Sequence, residues 1–122
     1  MPLLAIVGSR RPTKTALASI PWIVDAAVSS GWGILSGGAR GIDGEAHREC
    51  LKRCGVTVAI LGSGLSCLYP PEHAGLFRKI VEQGGGVLSE YDDDAPPRPW
   101  RFPQRNRLIS GFSNAVMVVQ AA

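Results

Sequence analysis

Five short apolar segments recur along the chain, and segments of helical or turn character separate them. The apolar segments span residues 3–7, 33–35, 56–61, 87–89 and 115–119. Their apolar residues run almost without interruption, which is typical of parallel strands buried on both faces. Strands that alternate with helices predict an α/β fold. We expect a Rossmann-like, doubly wound, mostly parallel sheet in a three-layer α/β/α arrangement.

Four helices are expected between these strands. One ends near Ser30, and the others cover about residues 43–54, 71–83 and 104–110. Because proline breaks a helix outside its first turn, we place Pro21 in the first turn of the first helix, with Ser19 as its cap. Three glycines stand where left-handed residues that end helices are expected. They are Gly31, Gly55 and Gly84.

The composition is that of a folded domain, since 45% of the 122 residues are hydrophobic and 19% are charged. No apolar run approaches the ~20 residues that span a bilayer, and no basic segment precedes the apolar start. We therefore expect a cytoplasmic protein with no membrane partner. The net charge is only +3, but ten of the 13 basic residues are arginine, whose rigid fork suits bidentate phosphate contacts.

The cysteines Cys50, Cys54 and Cys67 are odd in number, which is a poor disulfide framework and fits a reducing compartment. His47, Cys50 and Cys54 fall within about two helical turns, a spacing that suggests a metal site. The same positions belong to an apolar stripe at helical spacing, and structural zinc sites usually have four ligands. We therefore expect no bound metal.

Open parallel sheets bind ligands at the carboxyl ends of their strands, and three turns at these ends are rich in glycine. The first is Gly8-Ser9-Arg10, directly after the first strand. Gly8 permits a close approach of the backbone, Ser9 offers a hydroxyl, and Arg10 offers a permanent positive fork. A tight turn with a solvated arginine has the same sequence, so this turn alone does not decide the function.

The second turn, residues 36–43, has three glycines in five residues, more than a simple connection needs. Such a turn presents bare N–H groups and the positive end of the following helix, so it predicts phosphate binding. The expected ligands are Ser36, Gly37, Gly38, Arg40 and Gly41. We expect Asp43 to be the N-cap of the helix and His47 to lie on its surface.

The third turn is Gly62-Ser63-Gly64, which follows the third strand and supplies further amide donors beside the second turn. Tyr69 comes shortly after it, before two prolines. A tyrosine in this place is suited to stacking on a base, and equally to packing.

Several motifs of nucleotide and catalytic sites are missing. The third glycine position of a dinucleotide fingerprint is Cys67, and the second strand ends in Ser36 rather than an acidic residue. The chain has no Gly-Lys-Ser/Thr of a P-loop and no Gly-x-Ser-x-Gly nucleophile elbow. We therefore expect no cofactor and no catalytic residue.

Four arginines alternate with Trp100 and Phe102 in the segment Arg-Pro-Trp-Arg-Phe-Pro-Gln-Arg-Asn-Arg, residues 98–107. Arginines contact phosphates, and aromatic faces stack bases at about 1–3 kcal/mol each in proteins that bind single strands. The alternative is that these arginines pair with Glu90 or with the acidic residues 92–94. Residues 91–103 are rich in proline and are expected to form a long surface loop.

In their order and spacing, these segments resemble the DprA/Smf family of DNA-processing proteins. The match rests on residues 6–10, 36–43, 61–65, 69–70 and 97–107. The resemblance implies a Rossmann-like core that binds single-stranded DNA as a homodimer. It also implies a role in loading a RecA-type recombinase during natural transformation, without catalysis. Arg10 matches the DNA-binding arginine of the family. The turn at residues 36–41 and the arginines near Asn106 correspond to the pocket wall, and we count Arg105 and Asn106 among the expected ligands.

The chain departs from the family pattern in three places. His73 stands where asparagine is frequent, and Pro71 stands where a lysine can occur. The sequence also stops after the fifth strand, whereas the family core continues. We therefore expect one domain over residues 1–122, shortened relative to the family.

A small-nucleotide module remains as an alternative, either a nucleotide sensor or a phosphoribohydrolase acting on nucleoside monophosphates. Such hydrolases have a Pro-Gly-Gly-x-Gly-Thr turn and a glutamate. Here the turn at residues 36–41 lacks the proline and the threonine, although Glu45 is close and Glu90 follows the fourth strand.

Overall fold

The computed structural model describes residues 1–121, which form a five-stranded, wholly parallel sheet with the strand order β4-β3-β2-β1-β5. The elements are β1 (Leu3–Gly8), α1 (Lys14–Ser29), β2 (Gly33–Ser36), α2 (Ile42–Lys52), β3 (Thr57–Ile60), a 3-10 turn (Pro71–His73), α3 (Ala74–Glu82), β4 (Gly86–Leu88), α4 (Arg101–Phe112) and β5 (Ala115–Val119). The predicted α/β, Rossmann-like fold class is confirmed. No helix in this described part is both long and apolar enough to cross a membrane.

Helices cover both faces of the sheet because successive strand residues point to opposite sides. On one face, Ile6 and Ile34 pack against α1 and α2, and Ala59 packs against Phe77 of α3. On the other face, α4 packs its Ile109 into a cluster with three strand residues. These are Ala5, Leu35 and Ile60. The chain therefore has the expected three layers, with α4 alone in the third.

The strand order brings the predicted turns together. From β1 the chain adds β2, β3 and β4 in one direction, and β5 then pairs with the opposite side of β1. In a parallel sheet all carboxyl ends meet at one edge, so the turns after β1, β2 and β3 are neighbours. This edge is the candidate site.

Strand β5 differs from the prediction that every strand is buried on both faces. Val116 and Val118 are 48% and 58% exposed, and Met117 between them is 40% exposed. Among the described residues, β5 pairs only with β1, and no helix covers Val116 and Val118. The apolar sequence of β5 therefore indicates strand structure but not burial.

The first helix begins earlier than predicted. Its N-cap is Thr13, whose hydroxyl accepts a hydrogen bond from the N–H of Ala16 at 3.1 Å. Ser19 is therefore not the cap, and Pro21 lies in the middle of the helix. Proline removes one hydrogen bond there, but buried side chains on both sides of it anchor the helix to the sheet. They are Ile20, Val24 and Ala27.

Helix α4 also begins earlier than predicted, at Arg101, so that Phe102 and Pro103 belong to its first turn. Proline is tolerated in a first turn because the N–H it lacks would have no partner inside the helix. The proline-rich loop accordingly ends before residue 101. This shift places the Phe102 ring at the start of a helix, where the backbone fixes its direction.

Two of the three predicted glycine stops are confirmed, since Gly31 and Gly84 have φ of +82° and +89°. After α2, however, Cys54 adopts the left-handed conformation with φ of +55°, and Gly55 does not. Gly55 is needed for space instead. A Cβ at that position would lie 2.8 Å from Cys50 Sγ.

His47 is fully buried, so the prediction of a helix-surface histidine is wrong. Its Nδ1 lies 2.7 Å from the hydroxyl of Thr57 in β3. Within the described residues its Nε2 has no hydrogen-bond partner. Burial, helped by nearby positive groups, lowers the pKa of His47 from 6.5 to about 3.

Because His47 is buried, we expect the protein to lose stability in acid. The folded-state pKa lies below the unfolded value, so the neutral imidazole stabilises the fold above pH 6.5, and this stability is lost as the pH falls toward about 3. The expected slope from this group is about 1.4 kcal/mol per pH unit in that window. His47→Gln keeps a polar group near Thr57 but cannot titrate, so its unfolding free energy should change less with pH.

Urea unfolding between pH 7 and pH 4 measures this slope. Lys14→Gln is the control, because Lys14 is exposed at the start of α1, leaves His47 and its neighbours in place, and should retain the His47 slope. Equal slopes for the wild type and His47→Gln would contradict the assignment.

Candidate nucleic-acid interface

The first two glycine-rich turns pack directly against each other. The carbonyl of Ser9 accepts a hydrogen bond from the N–H of Ile42 at 3.1 Å. Gly41 has a φ of +81°, and any Cβ there would collide with the backbone of Ser9 and Arg10. Gly41 is therefore required both for its conformation and for the contact between the turns.

A hydrogen bond to the residue that follows β5 also holds the first turn in place. The Ser9 N–H donates to the carbonyl of Gln120 at 3.0 Å, and the Ser9 hydroxyl accepts from the N–H of Arg11 at 3.0 Å. A Cβ at Gly8 would collide with the carbonyl oxygen of Val119. Gly8 is thus half-buried and Ser9 is buried, whereas Arg10 is exposed at the end of the turn.

Asp43 is not the N-cap of α2, because Gly41 has that position and Asp43 lies in the first turn. The Asp43 carboxylate reaches back and accepts the Gly37 N–H at 2.9 Å. Burial raises the pKa of Asp43, while the charge of Arg105 and the hydrogen bond from Gly37 favour its ionised form. An acidic side chain of the protein therefore occupies the anion position that the second turn was predicted to offer to a ligand.

Arg105 lies behind the second turn and is only 4% exposed. Its Nη1 donates to the carbonyls of Gly37 and Ile60, each at 2.8 Å, and its Nε donates to the Asn106 side chain at 3.0 Å. A Cβ at Gly37 would lie 2.6 Å from Arg105 Nη1 and 2.7 Å from Asp43 Oδ2. Gly37 is therefore enclosed between a carboxylate and a guanidinium, and Arg105 positions the turn from inside the protein.

Four side chains form what we call the arginine–aromatic cluster: Arg10, Arg40, Tyr69 and Phe102. The guanidinium of Arg10 lies 5.0 Å from the centre of the Phe102 ring. The Tyr69 and Phe102 rings are 5.8 Å apart and tilted by 53°. Arg40 lies 5.2 Å from the Tyr69 ring and donates to its hydroxyl at 3.1 Å. The cluster alternates positive charge with aromatic faces.

A groove of about 320 Å³ opens beside this cluster. Its lining residues are Arg10, Tyr69, Pro97, Arg98, Pro99 and Phe102. Arg98 is exposed, and Trp100, which is 58% exposed, follows in the same loop. The groove thus has aromatic and proline walls with exposed arginines beside them.

Arg40 is partly neutralised by a neighbour that the sequence did not indicate. Its Nε and Nη2 donate to the two carboxylate oxygens of Glu72 at 2.6 Å and 3.1 Å. Arg40 in turn lowers the pKa of Glu72 to about 2. Both side chains remain about half exposed, so solvent weakens the attraction between them. Arg10 has no ion pair among the described residues.

Contacts of the third turn hold Phe102 of the arginine–aromatic cluster in place. A Cβ at Gly62 would lie 2.7 Å from the Phe102 ring, and the N–H of Gly64 donates to the carbonyl of Ala95 at 2.8 Å. The Ser63 carbonyl accepts from the hydroxyl of Ser89 at 2.7 Å, and Ser63 itself is buried. These contacts fix the proline-rich loop and Phe102.

The remaining predicted residues lie around the same edge. The Ser36 hydroxyl is buried and donates to the carbonyl of Ile6 at 2.5 Å. Gly38 has a φ of +69°, and a Cβ there would lie 2.6 Å from Phe77. Asn106 is exposed, and Arg107 forms an ion pair with Glu90. The alternative that arginines of residues 98–107 form structural ion pairs therefore holds for Arg107.

The expected ligands did not include Tyr69, Phe102 or Arg98. The place of Tyr69 before two prolines, and the alternation of arginines and aromatic residues in 98–107, nevertheless pointed toward them. The bidentate contact of Glu72 with Arg40 had no sequence signal, because the residues are far apart in the chain. Among residues 1–121, no group of His, Cys, Asp and Glu side chains could hold a metal ion.

Comparison with known proteins gives consistent matches. The family model described as DNA recombination-mediator protein A matches residues 1–122. Protein Smf of Escherichia coli (strain K12) is 44% identical over 119 residues, which cover 98% of this chain and 32% of that protein. DNA processing protein DprA of Streptococcus pneumoniae is 36% identical over 120 residues, which cover 98% of this chain and 42% of that protein.

Two solved structures share the fold. The X-ray structure of DprA from Streptococcus pneumoniae has a TM-score of 0.87 at 36% identity, over 98% of this chain and 42% of that one. A structure of DNA processing protein A from Helicobacter pylori, described for its single-stranded DNA binding mode, has a TM-score of 0.87 at 31% identity. It is matched over 98% of this chain and 54% of that one. This chain thus spans about a third to a half of the length of these relatives.

The position of Gly37 predicts a large effect from one added methyl group. Gly37→Ala should destabilise the protein by about 1–3 kcal/mol, because the Cβ overlaps both Asp43 and Arg105. Gly111→Ala is the matched control, since Gly111 lies within α4 and its Cβ would meet no atom within 4 Å. It should be neutral or stabilise by up to about 1 kcal/mol. Urea unfolding of both variants measures the difference, and equal stabilities would contradict the packing described here.

Proposed function

Because this chain belongs to the DNA recombination-mediator protein A family, we propose that it binds single-stranded DNA at the carboxyl-terminal edge of its sheet. The observation that carries the proposal is the placement of Arg10 over Phe102 at the mouth of the groove. Phe102 is half-buried, and an arginine beside such a ring can contact a phosphate while the exposed part of the ring packs on the adjoining base. Duplex DNA keeps its bases paired and stacked, so this chemistry favours a single strand.

The distribution of charge at this edge of the sheet favours phosphate contacts from side chains over phosphate contacts from backbone amides. Asp43 already occupies the Gly37 N–H, so the second turn does not offer that amide to a ligand. Exposed positive charge comes from Arg10 and Arg98, with a contribution from Arg40 reduced by Glu72. We therefore assign the phosphate contacts to arginine side chains and the base contacts to Tyr69 and Phe102.

The predicted site residues have two roles in this proposal. Arg10, Arg40 and Asn106 are exposed at the edge and available to a strand. The others shape the edge from within. They are Gly8, Ser9, Ser36, Gly37, Gly38, Gly41, Gly62, Ser63, Gly64 and Arg105. The proposal is one of binding without catalysis.

The family description supports a wider role. A recombination mediator acts together with a recombinase, so we propose that this chain serves DNA processing by presenting a single strand to a RecA-type recombinase. We further propose that it acts as a homodimer and that residues 1–122 are one folding unit. This chain covers 32% of the Escherichia coli relative and 42% of the Streptococcus pneumoniae relative, so roles of those whole proteins are proposals for this chain.

The hydrolase alternative has less support from the geometry. Glu90 forms an ion pair with Arg107, and Glu45 lies 3.7 Å from a guanidinium nitrogen of Arg48. Neither carboxylate lines the groove beside the arginine–aromatic cluster. Incubation with nucleoside monophosphates tests it directly, and release of free base would favour it over the binding proposal.

Replacing Arg10 tests the binding proposal. Arg10→Ala removes a phosphate contact and the positive charge that lies over the Phe102 ring, so affinity for a labelled oligothymidylate should fall by roughly tenfold to a hundredfold. Fluorescence anisotropy at low salt measures this, with duplex DNA and thymidine monophosphate alongside. Affinity should fall steeply as salt rises, because each phosphate contact releases counterions.

Arg78→Ala is the matched control, since Arg78 is exposed on α3 and lines neither the groove nor the smaller recess beside it. It removes the same charge and should weaken binding only slightly. Equal affinities for Arg10→Ala and Arg78→Ala would contradict the proposed site, as would equal affinity for single-stranded and duplex DNA.

A further inference from the structure

A second positively charged feature lies between α2 and α3, outside the groove described above. It is a cleft of about 580 Å³, which we call the basic cleft, and Arg48, Lys52 and Lys79 are its basic lining residues. The whole chain has three lysines, and two of them are here. No aromatic side chain lines the cleft. Its chemistry is therefore charge without a stacking surface.

The acidic groups near the cleft are already paired. Glu49 is 8% exposed in its side chain and contacts Arg53 at 2.6 Å and Lys52 at 3.3 Å. Glu72 lines the cleft but holds Arg40 at 2.6 Å.

Arg48 and Lys52 have Glu45 and Glu49 as partners at 3.7 and 3.3 Å, but the side chains of Arg48 and Lys52 are 45% and 67% exposed, so solvent weakens these contacts. The lining itself has three basic residues and one acidic residue, and Lys79 is the basic one without an ion pair among the described residues.

Arg48 is held in place by a chain of contacts that leads to the second turn. One of its Nη atoms lies 3.1 Å from Nε2 of His73, and Nδ1 of His73 lies 2.8 Å from the carbonyl of Gly38. Since that carbonyl can only accept, Nδ1 donates and Nε2 accepts from Arg48. A Cβ at Gly44 would lie 2.8 Å from the His73 ring, so glycine is needed for this approach.

The basic cleft is also connected to the arginine–aromatic cluster at its other side. Glu72 lines the cleft and holds Arg40, which contacts Tyr69 of the cluster. Glu72 therefore borders both the basic cleft and the arginine–aromatic cluster, while His73 joins Arg48 of the cleft to the second turn.

We propose that the basic cleft is a second backbone site, which binds the phosphates of the same DNA strand after it leaves the arginine–aromatic cluster. This inference rests on the proposed function. Because the lining has no aromatic side chain, the site holds the strand by charge alone and reads no base. Only a strand long enough to cover both sites can use it.

Variation of strand length separates the two sites. Anisotropy titrations over a range of salt concentrations use oligothymidylates of about 5 and about 20 nucleotides, which bracket the lengths that single-strand binding domains cover. For Lys79→Gln, the plot of log K against log salt for the long strand should become shallower by about 0.7, the value for one lost phosphate contact. The short strand should show no change. Lys52→Gln should behave in the same way.

Arg78→Gln is the matched control, because it removes the same charge from the neighbouring position of α3 and Arg78 does not line the cleft. It should leave the slope for the long strand within error of the wild type. A direct readout is acylation of the lysines, followed by mass spectrometry. The long strand should protect Lys52 and Lys79, and the short strand should not.

Three results would overturn the inference. They are equal slopes for Lys79→Gln and Arg78→Gln, a change with the short strand as large as with the long one, or full acylation of Lys52 and Lys79 in the presence of the long strand. If Arg10→Ala still weakens the short strand in these cases, the cluster is the site and the cleft is not. If neither strand binds the wild type, the proposed function fails and this inference fails with it.

Discussion

The enclosure of Gly37 between Asp43 and Arg105 is the constraint on which the candidate site depends. Each of these charged side chains is almost fully buried, and each contacts the backbone of Gly37 from a different element. No ion pair joins Asp43 directly to Arg105 among the described residues, but each charge favours the ionised form of the other, and a buried charge without compensation is costly. Asp43 and Arg105 therefore have to be present together. They connect α2, α4 and the ends of β2 and β3 at the edge where a ligand would bind.

This arrangement changes the role that the glycines of these turns were expected to have. A glycine-rich turn before a helix is expected to offer amide groups to a phosphate, and here the protein supplies its own carboxylate to the Gly37 amide. Gly8, Gly62 and Gly64 are needed because other groups lie where their Cβ atoms would be. Contacts inside the protein consequently hold the backbone of these turns. The arginines and aromatic rings beside the turns remain to contact a ligand.

The fold class followed from the sequence because the five apolar segments and the positions of most turns are local features. The start of α1 did not, since Pro21 argued for a later start, and the Thr13 cap together with the packing of Ile20 and Val24 outweighed it. The burial of His47 and Arg105 was also not predictable. Both residues are polar, and their environment comes from strands and turns that are distant in the sequence. The exposed position of Arg10 at this edge was predictable, because Arg10 lies in the short turn that follows β1.

Single-strand binding at the arginine–aromatic cluster is the function that we propose for this edge of the sheet. The most direct measurement is a map of backbone and side-chain NMR shift changes on addition of an oligothymidylate of about 5 nucleotides. We expect the largest changes at Arg10, Tyr69, Arg98 and Phe102, with Trp22 on the exposed side of α1 unchanged. Changes concentrated around Trp22 and β5, with Arg10 and Phe102 unaffected, would contradict it.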